Sequence, residues 1–261
     1  MSTRPHIAIA GSGLAGLHTA AQLAPSADVT VYERLPVAGG EHWEDPSHAR
    51  LITDAQQLGV RFAPGTQVIR WEGDRLLAVG TFGGIVAADA FVVATGHRPP
   101  TRAELRIDGD RCAGVVPATL ALHLLQQRVR LGTDVVIAGD APWAKECIEL
   151  MTGASVRWLG AQGRPAARVT ATHGMPRITG VTVVDGQDVE EIACDCLILA
   201  GPPLPYRNVD GAILDDAPVV FAQGADDHAL VGQRAARAAL DLAQNEFRTR
   251  IAVEPRIGRP L

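Results

Sequence analysis

Lysine is almost absent from this sequence. Lys145 is the only lysine among 261 residues, and arginine supplies nearly all of the positive charge. The formal net charge is −5, with acidic and basic residues interspersed along the chain. Because nucleic acids and anionic membranes are bound by concentrations of positive charge, we expect neither as a partner.

Long hydrophobic runs are missing too. No stretch reaches the ~18 consecutive apolar residues that suggest a membrane span, and the N-terminus lacks the apolar segment of a signal peptide. The overall content of hydrophobic residues, 47%, is nevertheless ample for a buried core. We therefore expect a globular chain of one or two domains, without a membrane span.

The sequence also lacks cysteines at the spacings of redox dithiols or metal sites. The four cysteines of the sequence are Cys112, Cys147, Cys194 and Cys196. No pair has the C-x-x-C spacing of a redox dithiol, and no group has the spacing of a zinc or iron–sulfur site. We expect no metal site, no thiol–disulfide exchange and a location in the reducing cytoplasm. The sequence also lacks the nucleophile-elbow motif of serine hydrolases.

What is present begins with a glycine-rich unit near the N-terminus. The apolar run at residues 7–10 predicts a buried strand, and the pattern G-x-G-x-x-G follows at residues 11–16. An alanine- and leucine-rich helix continues to about Leu23, and a second strand at residues 29–32 leads to Glu33. This order of strand, glycines, helix, strand and acid predicts a β-α-β unit that binds a dinucleotide.

The residues of that pattern have separate physical roles. Gly11 makes the tight turn out of the strand, Gly13 lets a pyrophosphate approach the backbone, and Gly16 lets the helix pack close to the sheet. The helix N-terminus offers N–H groups and a partial positive charge to phosphates. Glu33 lies 22 residues after Gly11, where a carboxylate accepts hydrogen bonds from ribose hydroxyls. The predicted binding residues of this unit are Gly11, Ser12, Gly13, Leu14, Ala15, Gly16 and Glu33.

The middle of the chain predicts a meander and a second β-α-β unit. A helix at residues 49–58, a strand at 60–62, an antiparallel meander at 67–71, 75–79 and 84–88, and a buried strand at 90–94 come first. A helix at 118–128, a strand at 134–138, a helix to about 151 and a strand at 155–159 follow. The second unit repeats the strand–glycine–helix–strand order of the first.

The last third of the chain predicts strands at residues 168–172, 178–184, 191–199 and 219–222, and a helix at 230–248. Cys194 and Cys196 are two residues apart in one of these strands and would share a face. We interpret both, like Cys147, as small core residues. The whole pattern predicts an α/β fold with two Rossmann-like dinucleotide-binding domains, the second inserted in the first. Residues 1–104 and 203–261 would form the first domain, and residues 105–202 the second.

These motifs resemble a known family. The resemblance rests on the first glycine pattern with Glu33, the pair Gly39-Gly40, the run Ala94-Thr95-Gly96, the second β-α-β unit and the late run Ala222-Gln223-Gly224. It is to the flavoproteins with two dinucleotide-binding domains that include glutathione and thioredoxin reductases. The resemblance implies FAD on the first unit and NAD(P)H on the second. It also implies that FAD contacts Arg34, Gly40, Ala94, Thr95, Gly96, Gly224 and Asp226.

A narrower resemblance covers residues 111–125 and 135–139. These stretches are similar to the α subunits of dye-linked amino-acid dehydrogenase complexes, which include opine oxidases, proline dehydrogenases and the cyanide-forming glycine dehydrogenase. The resemblance implies an amino-acid-oxidase-like flavoprotein subunit as a partner, with a small iron–sulfur subunit as a further one. The chain is shorter than most such subunits and has no cysteine-rich C-terminal extension.

Three departures from the family pattern affect the cofactors. The second glycine pattern has Ala141 at its second position, where a methyl group opposes a pyrophosphate. No acid follows Leu159, so a ribose diol has no acceptor there. Arg164 is a candidate for contact with a 2′-phosphate or for a solvated arginine in a loop. In the late motif Ala225 replaces the family's aspartate, and the acid comes one place later at Asp226. The first two departures disfavour NAD(P)H, and the third weakens the FAD assignment without cancelling it.

Catalytic residues are not assigned by the sequence. His42 and Trp43, after the second glycine pair, are candidates for a face beside the flavin or for a surface loop. His97 is a candidate for a flavin neighbour or for a strand end, and His228 lies beside two acids that suit a helix N-cap. Three functions remain open: an FAD-containing subunit of an amino-acid dehydrogenase complex, a self-contained NADPH-dependent flavin reductase, and a non-catalytic scaffold.

Overall fold

A computed structural model describes residues 4–40, 44–160, 166–205, 218–222 and 227–253, with side chains up to residue 244. The chain divides into two compact units. The first unit consists of Met1–Gly96 and Pro205–Leu261, and the second of His97–Leu204. The domain limits predicted from the sequence, at residues 104 and 203, stay predictions.

The first unit begins with a parallel sheet and a meander. Its elements are β1 (His6–Ala10), α1 (Leu14–Leu23), β2 (Asp28–Glu33), α2 (Pro46–Gln57), β3 (Arg61–Pro64), β4 (Thr66–Trp71), β5 (Arg75–Gly80), β6 (Gly84–Ala87) and β7 (Ala90–Val93). β1 pairs in parallel with β2 on one side and with β7 on the other. β1 and β7 are apolar along most of their length because both faces of this sheet are covered.

The predicted meander forms a separate sheet of three antiparallel strands, in the order β4-β5-β6. Its inner residues, among them Trp71 and Leu76, join a buried cluster with Phe91 of β7. The rings of Trp71 and Phe91 are 5.5 Å apart between centroids. The meander therefore covers one face of the parallel sheet.

The second unit contains another parallel sheet and a mixed one. Its elements are β8 (His97–Arg98), β9 (Asp108–Gly109), β10 (Val115–Pro117), α3 (Ala118–Gln126), β11 (Asp134–Ala138), α4 (Pro142–Leu150), β12 (Ser155–Leu159), β13 (Arg168–His173), β14 (Gly180–Asp185), β15 (Asp188–Ala193), β16 (Cys196–Leu199) and β17 (Leu204–Pro205). The parallel sheet has the order β10-β16-β11-β12, and the mixed sheet has the order β15-β14-β13-β9. β8 and β17 pair with each other.

The prediction of one strand across residues 191–199 is wrong. β15 ends at Ala193 and β16 begins at Cys196, and the two strands belong to different sheets. Asp195 lies at the break, and its carboxylate accepts hydrogen bonds from the N–H of Thr133 at 2.9 Å and of Asp134 at 3.0 Å. These bonds connect the break to Thr133 and to Asp134 at the start of β11, which are 62 and 61 residues away in the chain.

The interpretation of three cysteines as core residues is confirmed. Cys147, Cys194 and Cys196 are at most 3% exposed. Burial raises the pKa of Cys147 and Cys194 to about 11 and that of Cys196 to about 12, which keeps the thiols protonated and unreactive. Because of the strand break, Cys194 and Cys196 lie in two different clusters rather than on one strand face.

The chain returns to the first sheet near its end. β18 (Val220–Phe221) pairs in parallel with β7, and α5 (His228–Val253) follows. The first sheet then has the order β18-β7-β1-β2-β3. α5 packs closely on α1 at Gly232, where an added Cβ would lie 2.6 Å from Cβ of His18.

The predicted α/β class, with two Rossmann-like β-α-β units and an antiparallel meander, is confirmed. Each β-α-β unit has its own buried apolar cluster, which packs the strands and the helix that its glycine loop connects. Among the described residues, no helix is long and apolar enough to cross a membrane.

Candidate dinucleotide-binding site

The first glycine loop, residues 11–16, connects β1 to α1. Gly11 begins it with φ +103, a backbone conformation that glycine adopts without strain. Its N–H donates to the carbonyl of Tyr32 at 2.8 Å, and an added Cβ would lie 2.3 Å from the carbonyl oxygen of Ala94. The fold therefore requires glycine at this position.

Gly16 is required by the fold for a different reason. It lies in the first turn of α1, and an added Cβ would lie 2.1 Å from the carbonyl oxygen of Gly11. The absence of a side chain lets the helix start directly against the turn that leaves β1. The roles that the sequence predicts for Gly11 and Gly16, a tight turn and a close approach, agree with this geometry.

Gly13 differs from both neighbours. Its φ is −70, which any residue adopts, and an added Cβ would meet no atom within 4 Å. Of the glycines whose surroundings the structure describes, Gly13 alone combines open space with an unstrained φ. Because the folded chain itself does not require glycine here, the open space suits a ligand that approaches the backbone.

Backbone donors without a described partner in the fold lie next to Gly13, at the start of α1. Gly13 is the N-cap of α1 and provides no side-chain cap, and the first turn has no acidic residue. The structure gives no acceptor among its described residues for the N–H groups of Gly13, Leu14, Ala15 or Gly16. The N-terminus of a helix in this condition attracts anions through its free donors and its dipole.

Glu33 lies at the end of β2, beside the loop, and is 5% exposed. Its Oε2 accepts hydrogen bonds from the hydroxyl of Ser12 at 2.7 Å and from the N–H of Ser12 at 3.1 Å. Its Oε1 accepts from the N–H of Leu35 at 2.9 Å. A carboxylate has about four lone-pair positions, so roughly one remains for a ribose hydroxyl.

The Gly39-Gly40 pair lies next to this carboxylate. The N–H of Gly39 donates to Oγ of Ser12 at 2.8 Å, and an added Cβ on Gly40 would lie 3.8 Å from Oε2 of Glu33. Arg34 is exposed. The predicted members Ser12, Glu33 and Gly40 are thus brought together.

The run Ala94-Thr95-Gly96 follows β7 on the other side of the loop. The Ala94 N–H donates to the carbonyl of Ala10 at 2.8 Å, and the Ala94 carbonyl lies directly opposite Gly11. Thr95 and Gly96 are exposed. Gly224, Asp226, His42, Trp43 and Arg164 lie outside the described residues, and all binding roles stay predictions.

The second glycine loop, residues 139–144, has the same position in the second unit. The Gly139 N–H donates to the carbonyl of Leu159 at 2.9 Å, as Gly11 does to Tyr32. Gly139 also has a positive φ, +113, and an added Cβ would lie 2.2 Å from the carbonyl oxygen of Ala200. This correspondence places Ala141 where the first loop has Gly13, and Gly160 where β2 has Glu33.

Several backbone N–H groups of the second loop already donate hydrogen bonds within the fold, and one is missing. The Ala141 N–H donates to the carbonyl of Ala200 at 3.1 Å, and the Ala144 N–H donates to the carbonyl of Ala141 at 2.8 Å. Pro142, the first residue of α4, has no N–H. Ala141 itself is 4% exposed. The helix start that would bind a phosphate therefore offers few free donors.

The second unit also has little room for a side chain at Gly160, the position that corresponds to Glu33. Gly160 has φ +90, and an added Cβ would lie 3.3 Å from Cα of Gly139. The indole N–H of Trp158, on β12, donates to the carbonyl of Gly139 at 2.7 Å. Sequence reasoning missed Trp158, since nothing local connects it to Gly139. It also missed Pro142, although the lack of an N–H in proline is a signal that the sequence contains.

Comparison with known proteins agrees with this geometry. Residues 2–117 match the family described as "Pyridine nucleotide-disulphide oxidoreductase". No curated protein matches the chain by sequence.

Solved structures of this fold cover nearly the whole chain. L-proline dehydrogenase from P. horikoshii is 18% identical over 93% of this chain and 56% of its own, with a TM-score of 0.57. A NAD-dependent persulfide reductase from A. fulgidus is 14% identical over 91% and 59%, with a TM-score of 0.60. Thioredoxin reductase from Lactococcus lactis is 16% identical over 93% and 100%, with a TM-score of 0.54. At these identities the likeness shows the fold, and the chain spans little more than half the length of the first two.

The family description includes a disulphide, but the first unit of this chain contains no cysteine that could form one. All four cysteines lie between residues 112 and 196. Three of them are buried with raised pKa values. The expectation of no thiol–disulfide exchange stays a prediction.

The described histidines and acids form no metal-binding group. Asp227 acts as an N-cap, because its Oδ1 accepts from the N–H of Ala229 at 2.8 Å, while His228 is exposed. Partial burial lowers the pKa of His97, so its imidazole is neutral near pH 7. These residues give no set of acid, base and cation for a substrate within the described part of the chain.

Proposed function

We propose that this chain is an FAD-dependent oxidoreductase that works as one subunit of a heteromeric amino-acid or amine dehydrogenase complex. The observation that carries the FAD assignment is the open space and free donors at Gly13, beside the buried carboxylate of Glu33. The family match of residues 2–117 supports an oxidoreductase. The dehydrogenase assignment draws support from the likeness to L-proline dehydrogenase.

The residues present fit an adenine dinucleotide. The N–H groups from Gly13 to Gly16 would bind the pyrophosphate, and Glu33 would accept from a ribose hydroxyl. Gly11 and Gly16 keep the turn and the helix start in place beneath it. When bound, FAD supplies the redox chemistry, while the protein binds and orients it.

A partner subunit is proposed because this chain lacks the other half of a redox reaction. It has no redox dithiol, no iron–sulfur cysteine set and a second glycine loop with few free donors among the described residues. The electron donor must then be a free substrate or another protein. We propose an amino-acid-oxidase-like flavoprotein subunit as the site of substrate oxidation, with a small iron–sulfur subunit as an electron acceptor.

The first expected result concerns NAD(P)H. The FAD-loaded protein, mixed anaerobically with NADH or NADPH at micromolar concentration, should keep its oxidised flavin absorption, because Ala141, Pro142 and Gly160 remove the contacts that a dinucleotide needs. Stopped-flow absorbance near 450 nm measures this.

Two controls accompany this experiment. Dithionite should bleach the flavin, which shows that it is reducible. Ala141→Gly should not restore reduction, because Pro142 and Gly160 remain. Rapid bleaching of the unaltered protein by either nucleotide would instead favour the self-contained NADPH-dependent flavin reductase.

The second expected result concerns the partner. The isolated, FAD-loaded chain should show no turnover of amino acids with an artificial dye as acceptor, and addition of an amino-acid-oxidase-like subunit should restore it. Robust turnover by the isolated chain would refute the partner requirement. A chain that takes up no flavin in an absorption spectrum would favour the scaffold alternative.

A further inference from the structure

Ser12 is fully buried in the middle of the first glycine loop, at 0% exposure. Its hydroxyl donates to Oε2 of Glu33 at 2.7 Å and accepts from the N–H of Gly39 at 2.8 Å. Its own N–H donates to the same oxygen of Glu33 at 3.1 Å. One side chain thus connects the phosphate loop, the acid at the end of β2 and the loop that contains Gly39 and Gly40.

These bonds fix the orientation of the Glu33 carboxylate. Ser12 holds Oε2, and the N–H of Leu35 holds Oε1 at 2.9 Å. A buried hydrogen bond to a charged acceptor is stronger than a neutral one, and removing one partner leaves the other buried without its bond. Loss of the Ser12 hydroxyl would affect Glu33 and the Gly39 N–H together.

The second unit has no acid at the position that corresponds to Glu33, so it can be compared with the first. Asp140 takes the place of Ser12 there and is exposed, and Gly160 takes the place of Glu33. The network of hydroxyl, carboxylate and loop amide is therefore found in the unit with the open glycine loop and is lost in the unit with the closed one. This contrast connects Ser12 with ligand binding rather than with the β-α-β fold itself.

We infer that Ser12 is a positioning residue that couples the ribose acceptor Glu33 to the loop at Gly39, so that dinucleotide binding and the order of residues 34–40 are linked. The inference rests on the proposed function, because it assumes an adenine dinucleotide at this loop. Ser12 acts through Glu33, which would contact the ribose.

The test compares Ser12→Ala with Ser26→Ala, a control at an exposed serine in the turn after α1. FAD affinity is measured by fluorescence titration of the flavin-free protein. Ser12→Ala should weaken FAD binding about tenfold, the size expected for a buried hydrogen bond to a charged group, and Ser26→Ala should leave the affinity unchanged. Equal affinity for the unaltered protein and Ser12→Ala would overturn the role of Ser12.

A second readout separates positioning from a merely structural effect. ADP and 2′-deoxy-ADP compete with FAD, and the unaltered protein should prefer ADP by about tenfold, because the ribose hydroxyl reaches an oriented carboxylate. Ser12→Ala should reduce this preference to about threefold or less. A variant with weaker binding but an unchanged preference would show a structural role only and would refute the inference.

A third measurement needs no variant. Saturation of the unaltered protein with FAD should slow hydrogen exchange of the Gly39 amide several-fold, and Ser12→Ala should lose this protection. An unchanged exchange rate on FAD binding would contradict the coupling even if Ser12→Ala failed to fold. No FAD binding by the unaltered protein would refute the proposed function itself, whereas normal binding without coupling would refute only the role of Ser12.

Discussion

Gly13→Val should abolish FAD binding, with a loss of at least about a hundredfold in affinity, while the protein stays folded. Valine would place its side chain in the space where the pyrophosphate must approach the backbone. The folded chain tolerates a side chain there, because φ is −70 and no atom lies within 4 Å of an added Cβ. Stability should change by no more than about 1 kcal/mol, the usual range for a substitution at a helix N-cap.

Flavin occupancy after reconstitution and a thermal unfolding curve measure the two parts of this prediction. Gly13→Ala provides a graded control, because a single methyl group should weaken binding less than valine does. Full flavin occupancy in Gly13→Val would show that the first glycine loop is not the site. Loss of binding together with unfolding would contradict the claim that the fold does not need glycine here.

Gly11→Ala, unlike Gly13→Val, should change the stability of the fold. We expect it to destabilise the first unit by about 3 kcal/mol or more. A non-glycine residue at φ +103 costs roughly 1–2 kcal/mol, and the added Cβ would lie 2.3 Å from the backbone of Ala94 on the neighbouring strand. Neither backbone can move without disturbing the pairing of β1 with β7. Denaturant unfolding gives the change in stability.

The matched control for Gly11→Ala is Gly139→Ala. Gly139 has φ +113, and its added Cβ would lie 2.2 Å from the carbonyl oxygen of Ala200. Hydrogen exchange should therefore show loss of protection in β1 and β7 for the first variant, and in β11 and β16 for the second. If the unfolding curve of Gly11→Ala matches that of the unaltered protein, the claim that the fold requires glycine at residue 11 is wrong.

Much of the architecture was predictable because its signals are local. The apolar run before Gly11, the glycine spacing and the acid at Glu33 lie within one stretch of chain, and together they specify a strand, a turn, a helix and a strand. The same reasoning holds for the meander, whose strands are neighbours in sequence. The α/β class and both β-α-β units therefore followed from the order of the residues.

Contacts between distant residues decided the rest. The break between β15 and β16 depends on Asp195 binding the amides of Thr133 and Asp134, which no local pattern indicates. The closure of the second glycine loop depends on Trp158 and on the carbonyl of Ala200. Pairings of this kind arise only when separate strands are brought side by side.

The three glycines of the first loop show the same division most directly. The sequence by itself determined that residues 11, 13 and 16 form a dinucleotide-type turn, because their spacing is a local property. Only the tertiary structure decided that Gly11 and Gly16 face the backbones of Ala94 and Gly11, while Gly13 faces open space. The physical reason is that the cost of a Cβ atom depends on which atoms the folded chain places next to it, and the sequence does not contain those distances.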